Sequence, residues 1–405
     1  MRDGWIIKRL DEVCMKFGAG PFGSNMKVST FVDTGIPVVS GNHMTELELL
    51  EKSFNYITEE HANKMQSSIV QRNDVVITKA GTIGQVSLIP ENSRFLKYVL
   101  SSRQLFVRPN LEQVLPKYLA IYLKYGRGQD QILSNVNRTG VPSLSQAVSF
   151  IKNVRIELPP LPEQKRIVDL ISSVDDYIKA LQQQLESAKK SRNAVLHELL
   201  TAGGDDWVET TLGEVALLNP SEPALSDTAH FAPMDAVHVG KRWLQYTEER
   251  RDRNGARARA GDVLFARITP CLENGKVAQV QSELERCGGS TEFIVVRGTE
   301  KCTSDFLYFW CTLKVNRDKA AELMTGTTGR QRLSWQGLGG LGLWLPSIAE
   351  QERIVNNISE FDSLIESTES AISESQNLRS GLLSDLLSGE HEIPASYDKV
   401  IGAAR

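Results

Sequence analysis

The feature that most constrains this chain is a statement it makes twice. Residues 158–168 read LPPLPEQKRIV and residues 345–355 read LPSIAEQERIV, agreeing at Leu158/Leu345, Pro159/Pro346, Glu163/Glu350, Gln164/Gln351, Arg166/Arg353, Ile167/Ile354 and Val168/Val355. Each copy opens a seam of alternating four- and three-residue steps. The first runs through Ile167, Ile171, Val174, Ile178, Leu181, Leu185, Ala188, Arg192, Val195 and Leu199. The same offset carries it onto Ile354, Ile358, Phe361, Ile365, Thr368, Ile372, Ser375, Arg379, Leu382 and Leu386. A sustained 3.5-residue period marks a coiled-coil stripe. A helix over 163–202 spans about 60 Å at 1.5 Å per residue. Alone in water it would expose that stripe at roughly 1.5 to 3 kcal/mol per large aliphatic side chain. The order block, helix, block, helix supplies a partner, because the second helix must run back along the first. An antiparallel pair with a globular block at either end is expected; the alternative folds each helix onto its own block. With 163 facing about 390, Arg192 falls near Glu360 and Asp362, and Arg379 near Asp175 and Asp176. A salt bridge near each end is then expected, unless both arginines snorkel to solvent.

The globular parts repeat as well. GWIIKRLDEV at 4–13 echoes DWVETTLGEV at 206–215, NDVVITKAGTIGQV at 73–86 echoes GDVLFARITPCLENGKVAQV at 261–280, and NRTGVPSL at 137–144 echoes GTTGRQRL at 326–333 through Thr139-Gly140 and Thr328-Gly329. Strands are read at 36–42, 74–80, 86–90 and 103–109 with a helix at 115–125; in the second block strands are read at 262–268, 276–280 and 292–298 with a helix at 304–315. The fold class is therefore α/β (α+β), with two mixed blocks, a long antiparallel two-helix coiled coil and a pseudo-twofold internal repeat. The division expected is a first globular block at 1–157, a long helix at 158–204, a second block at 205–344, a second long helix at 345–390 and a tail at 391–405.

Charge separates these parts. Across the 405 residues the formal net charge is −4, yet residues 1–157 hold 19 Lys/Arg against 14 Asp/Glu and residues 345–405 hold 4 against 11. A polyanion should meet the blocks and avoid the acidic end. No apolar run approaches the roughly 20 residues that cross a bilayer, and no signal-peptide core opens the chain, so a cytoplasmic protein without a membrane role is expected. Five cysteines without a Cys-x-x-Cys spacing are read as reduced thiols, not a disulfide framework or zinc site. The six histidines form no metal-ligand pair on a helix. No phosphate loop or nucleophile elbow occurs, and Asn219-Pro220-Ser221 lacks the second proline and aromatic of an adenine-methylating loop. Neither catalytic nor metal residues are assigned.

Basic and polar residues collect in the inferred loops, where they suit phosphate and base contact, the alternative being a solvated face. In the first block these are Ser24, Asn25 and Lys27 in GAGPFGSNMK, Lys79, Thr82 and Gln85 in the hairpin-like KAGTIGQ, and Arg138 and Thr139. GAGPFG formally matches Gly-x-Gly-x-x-Gly but lacks the strand-turn-helix context of a dinucleotide site. In the second block the candidates are Lys241, Arg242, Arg267, Thr269, Asn274, Lys276, Arg330, Gln331 and Arg332, the first three within a run that also holds Arg250, Arg251, Arg253, Arg257 and Arg259.

GPFGSNMK, the two hairpins, the TGVPSL loop and above all the paired LPPLPEQKRIV and LPSIAEQERIV helices make the chain resemble the specificity (S, HsdS) subunit of type I restriction-modification systems over nearly its whole length. It departs from that pattern where GRQRL replaces GVPSL. The resemblance implies two target recognition domains, each reading one half of a split duplex DNA sequence, with the helices as a ruler. It implies as partners two methyltransferase (modification) subunits, docked on the central helices, and restriction subunits that act as motor and endonuclease. It leaves this chain non-catalytic and without a cofactor of its own: S-adenosylmethionine, ATP and Mg belong to those partners. Three other readings stay open on residues alone, namely a free-standing tandem-domain DNA-binding regulator, a scaffold that ignores DNA, and a methyltransferase in its own right.

Overall fold

The computed structural model describes residues 4–398 apart from 205, 226–228, 251–254 and 328. Arg251 and Arg253 of the arginine run, and Thr328 of the second Thr-Gly loop, lie outside the described residues. The chain forms two compact units. One joins Met1–Leu181 to Ala371–Arg405, and the other is the continuous stretch Gln182–Ser370.

In the first unit the strand Val75–Thr78, buried at every position, lies inside an antiparallel sheet ordered Cys14–Ala19, Gln104–Pro109, Val75–Thr78, Val86–Leu88. A second sheet runs Asn55–Ile57, Ile36–Val39, Lys97–Leu100, Ile69–Gln71, with its middle pair parallel. The second unit repeats both orders strand for strand. Leu217–Leu218, Phe293–Arg297, Val263–Ala266 and Val277–Gln279 form one sheet; Glu248–Arg250, Ala229–Ala232, Arg286–Gly289 and Ala256–Arg259 form the other.

Side chains repeat with the strands. Asp74, fully buried, accepts from Arg108 Nε and Nη2 at 2.7 Å each and from the Gln71 amide at 2.8 Å. Asp262, equally buried, accepts from Arg297 Nε and Nη2 at 2.7 Å each and from the Arg259 amide at 2.8 Å. A carboxylate removed from water survives only with this kind of bidentate partner and an amide donor.

The strands expected from sequence form, each a residue or more shorter than its apolar run. The helix Pro116–Tyr125 matches expectation, but the helix expected over 304–315 stops at Thr312. Leu313 takes an extended conformation (φ −64°, ψ 125°) before a separate helix, Lys314–Glu322. Strands such as Arg286–Gly289, sequence RCGG, were not expected because they carry neither alternation nor β-branched residues.

The two long helices are Leu161–Thr201 and Ile348–Ser388, 41 residues each. In the first unit Ile167 and Ile171 share a core with Leu383, Leu386 and Leu387. In the second unit Leu196 and Leu200 share a core with Ile354, Val355 and Ile358. The beginning of one helix therefore meets the end of the other in both units, the antiparallel sense expected. Every residue of both predicted seams is buried or half-buried. Both seam arginines find the expected partners: Arg192 Nε lies 2.5 Å from Asp362 Oδ1, and Arg379 is bonded through Nε and Nη2 to Asp175. Near the helix ends the stripe drifts. Leu196 and Leu200 are more buried than seam residues Val195 and Leu199, and Leu383 and Leu387 pack beside Leu386. A straight helix of 3.6 residues per turn cannot hold a 3.5-residue seam, and the adjoining core captures the side chains that rotate toward it.

The doubled Glu-Gln has a structural cause. Gln164 is completely buried; its Oε1 accepts from the Leu115 amide (2.8 Å) and its Nε2 donates to the carbonyls of Gln113 (3.0 Å) and Pro159 (2.8 Å). Gln351 does the same one repeat later, accepting from the Thr303 amide (2.9 Å) and donating to Lys301 (2.9 Å) and Pro346 (3.0 Å). Leu115 and Thr303 each precede a domain helix, so one glutamine ties the start of a long helix to the start of a domain helix. The segment after the second long helix, expected as a tail, also contributes. Ile393 is buried in the first unit's core, and Asp398 pairs with Arg166 at 3.3 Å.

Candidate nucleic-acid interface

Three segments converge at one edge of the first unit. The Leu144 amide donates to the Lys79 carbonyl (2.9 Å), the Gly81 amide to the Pro142 carbonyl (2.9 Å) and the Lys79 amide to the Arg103 carbonyl (2.8 Å). This stitching brings Lys79 and Thr82 together with the short hairpin of Val136–Asn137 and Ser143–Leu144, whose exposed tip carries Arg138 and Thr139. Gly140 takes φ +78° there, a left-handed turn that suits glycine. The second unit reproduces the edge. Leu333 donates to Arg267 (2.8 Å), Thr269 to Gln331 (3.1 Å) and Arg267 to Glu292 (2.9 Å). Arg267, Thr269, Arg330, Gln331 and Arg332 are thus neighbours, although GRQRL replaces GVPSL.

Ser24, Asn25 and Lys27 are exposed on a pair of 3-10 turns, Gly23–Asn25 and Val28–Thr30, that follow the strand Cys14–Ala19. The loop leaves the sheet at Gly20, where a Cβ would stand 1.7 Å from the Ser101 carbonyl oxygen. That close approach of two backbones explains a glycine in the Gly-x-Gly-x-x-Gly pattern without any phosphate. Asn274 is exposed on the turn after Pro270, and Thr269 Oγ1 donates to Glu273 (3.1 Å).

Four candidates have side-chain partners within the chain. Lys241 Nζ is paired with Glu369 at 2.6 Å, on the second long helix. Arg242 is bonded to Asp305 (2.6 Å) and Gln279 (2.8 Å), with its guanidinium 4.7 Å from the centre of the Trp243 ring. Lys276 Nζ donates to the Met234 carbonyl (2.9 Å), and Gln85 Oε1 accepts from Thr78 Oγ1 (3.2 Å). These side chains hold loops and helix to the domain. Within the arginine run, Arg259 pairs with Glu222 at 2.8 Å and the Arg250 guanidinium lies over the Phe231 ring. Local charge counted along a sequence misses carboxylates that arrive from elsewhere in the chain.

Two residues that sequence reading did not select stand at the converging edge. Arg103 is exposed beside Gly81, and Glu292, at the same place in the repeat, accepts from Arg332 Nε (3.0 Å) and Nη2 (2.8 Å). Their signal was available, since both immediately precede a strand that the repeat aligns. Arg267 lines a pocket of about 380 Å³ together with Asn219, Ser221, Thr291 and Phe293.

Burial lowers the pKa of the Lys79 ammonium, while Glu292 raises that of Arg332. Burial pushes the thiols of Cys14 and Cys302 up to about 12, far from the reactive range of a nucleophilic cysteine. Among the described residues no group of three His, Cys, Asp or Glu is placed to hold a metal ion, and no helix is long and apolar enough to cross a membrane. The arrangement sets basic and hydroxyl-bearing loops side by side at a sheet edge in each unit.

Known proteins share this architecture. The type I restriction enzyme MjaVIII specificity subunit of Methanocaldococcus jannaschii is 20% identical over 350 residues, covering 80% of each chain. A chain from a type I R-M system superposes with a TM-score of 0.60 at 19% identity, covering 96% of this chain and 98% of that one. The HsdS subunit from Thermoanaerobacter tengcongensis gives a TM-score of 0.53, also at 19% identity and the same coverage. The family described as Type I restriction modification DNA specificity domain matches residues 2–189 and again residues 205–375. With both halves of its repeat accounted for, the chain belongs to that family and is a type I restriction-modification specificity subunit.

Proposed function

We propose that the chain reads a bipartite, asymmetric duplex DNA target, one half-site by the domain at 1–157 and the other by the domain at 205–344. The observation that carries this reading is the duplicated edge. The same three segments are stitched in the same register, with Lys79, Arg103 and Ser143 in one unit answered by Arg267, Glu292 and Arg332 in the other. Equal frames with unequal side chains suit two readings of different bases. Exposed basic groups would position each domain on phosphates, and the polar tips would reach base edges. The long helices, at about 1.5 Å per residue, would set the spacing between half-sites and carry two methyltransferase subunits. Restriction subunits would join that assembly. S-adenosylmethionine, ATP and Mg would be bound by these partners, the present chain contributing recognition without catalysis.

Mapping methylated adenines in a genome that carries the complete system tests the reading. A split motif with two different halves, lost when this chain is deleted, is the expected result; methylation unchanged by the deletion would overturn it. A gel shift of the assembled complex on random duplex should also weaken steeply with salt, as phosphate binding demands.

A further inference from the structure

Arg332 is held more firmly than any other candidate at the second unit's edge. Its backbone exchanges hydrogen bonds with Thr325 (2.9 and 3.0 Å) and bridges Ile268 on the other side. Its side chain is fixed by one carboxylate, with Nε 3.0 Å from each oxygen of Glu292 and Nη2 2.8 Å from Oε1. The Glu292 carbonyl in turn accepts from the Arg267 amide (2.9 Å), so the carboxylate stands on the same frame. A guanidinium gripped along its Nε–Nη2 side keeps the other fork, Nη1 and the second Nη2 hydrogen, for a further planar acceptor pair. Arg332 remains 45% exposed, and no other partner of its side chain occurs among the described residues. The acceptor pair in duplex DNA that matches this fork is N7 and O6 of guanine in the major groove.

We propose that Arg332 determines specificity for one guanine in the half-site read by the second unit, and that Glu292 is its positioning residue. This rests on the DNA-reading function above and assigns a base to it. The first unit has Ser143 where Arg332 stands and Arg103 where Glu292 stands. It cannot build the same clamp, so the corresponding base of the other half-site is read differently.

The test uses the full chain assembled with its modification subunits. Once methylation mapping has given the motif, binding is measured on that duplex and on duplexes with 7-deazaguanine at one guanine at a time. Wild type should lose affinity about tenfold at one guanine of one half-site, the size of one lost bond of a bidentate pair. Arg332→Lys keeps the charge but not the fork, and should bind more weakly and ignore 7-deazaguanine at that position. Glu292→Gln should reduce sensitivity there and nowhere else, and Glu292→Asp should restore part of it, an outcome that a merely structural role would not produce. Equal losses for Arg332→Lys on normal and deaza duplexes at every guanine would overturn the proposal, as would a motif without guanine on either strand of that half-site. A wild-type complex that methylates no split motif would instead overturn the function itself.

Discussion

Replacing Gln164 with leucine keeps the volume of a fully buried side chain and removes every polar atom from it. Three backbone groups then lose their partner: the Leu115 amide and the carbonyls of Gln113 and Pro159. A neutral hydrogen bond contributes about 1 kcal/mol net, and each group left buried without a partner costs about 1 to 3 kcal/mol. Because leucine leaves little cavity, the loss should be roughly 3 to 5 kcal/mol, confined to the first unit. Gln164→Glu should be worse at neutral pH. It retains an acceptor for Leu115 but points a second oxygen at two carbonyls and buries a charge. Its folded-state pKa would be raised, so part of the stability should return as pH falls below that value and the carboxyl becomes a donor. Hydrogen exchange is the assay of choice, since a chain of two units need not unfold in one step. Gln164→Leu should accelerate exchange at Leu115 and leave Thr303 unchanged, and Gln351→Leu should do the reverse. A stability loss below about 1 kcal/mol, or equal acceleration at both amides, would refute the view that these glutamines are local clamps.

The Arg192–Asp362 pair should show a coupling of about 1 kcal/mol in a double-mutant cycle read by urea unfolding, because both side chains are largely shielded; additive single losses would contradict this. Glu222 is held below the usual carboxylate range by Arg297 and Arg259. Its contribution is present above the unfolded carboxylate pKa of about 4.3 and disappears as pH falls through the depressed folded value, so Glu222→Gln should flatten the acid limb of a stability profile. Gly20→Ala should destabilise the first unit measurably by thermal unfolding, since its Cβ would meet the Ser101 carbonyl oxygen at 1.7 Å. Arg267→Ala should weaken DNA binding or relax one half-site by roughly 1 to 3 kcal/mol in titrations on the mapped motif.

The repeat, both long helices, their direction and even the partners of Arg192 and Arg379 were legible, because periodicity and covalent order leave few solutions. The edge carrying Lys79 and Arg267 was legible in part, since the hairpin and Thr-Gly echoes identified its strands. Glu292 was not, because its role depends on Arg332 reaching it across a sheet edge, 40 residues away in sequence. The partners of Arg242 were hidden for the complementary reason. A run of positive charge looks free until Asp305 and Gln279 come to meet it. The glutamine clamps were visible as repeated letters, yet nothing in periodicity says that a polar side chain is fully buried.

The discontinuity of the first unit has a consequence for synthesis. Residues 182–370 form one uninterrupted compact unit, whereas the other needs residues beyond 370. On a ribosome, the part translated first is therefore completed last. Until Leu383, Leu386, Leu387 and Ile393 emerge, Ile167 and Ile171 lack the side chains that cover them. Once residue 370 has cleared the exit tunnel but residues 383–393 have not, the nascent chain would hold a second unit able to close and a first one still unsealed, which leaves the earlier-born half exposed to misassembly or chaperone binding.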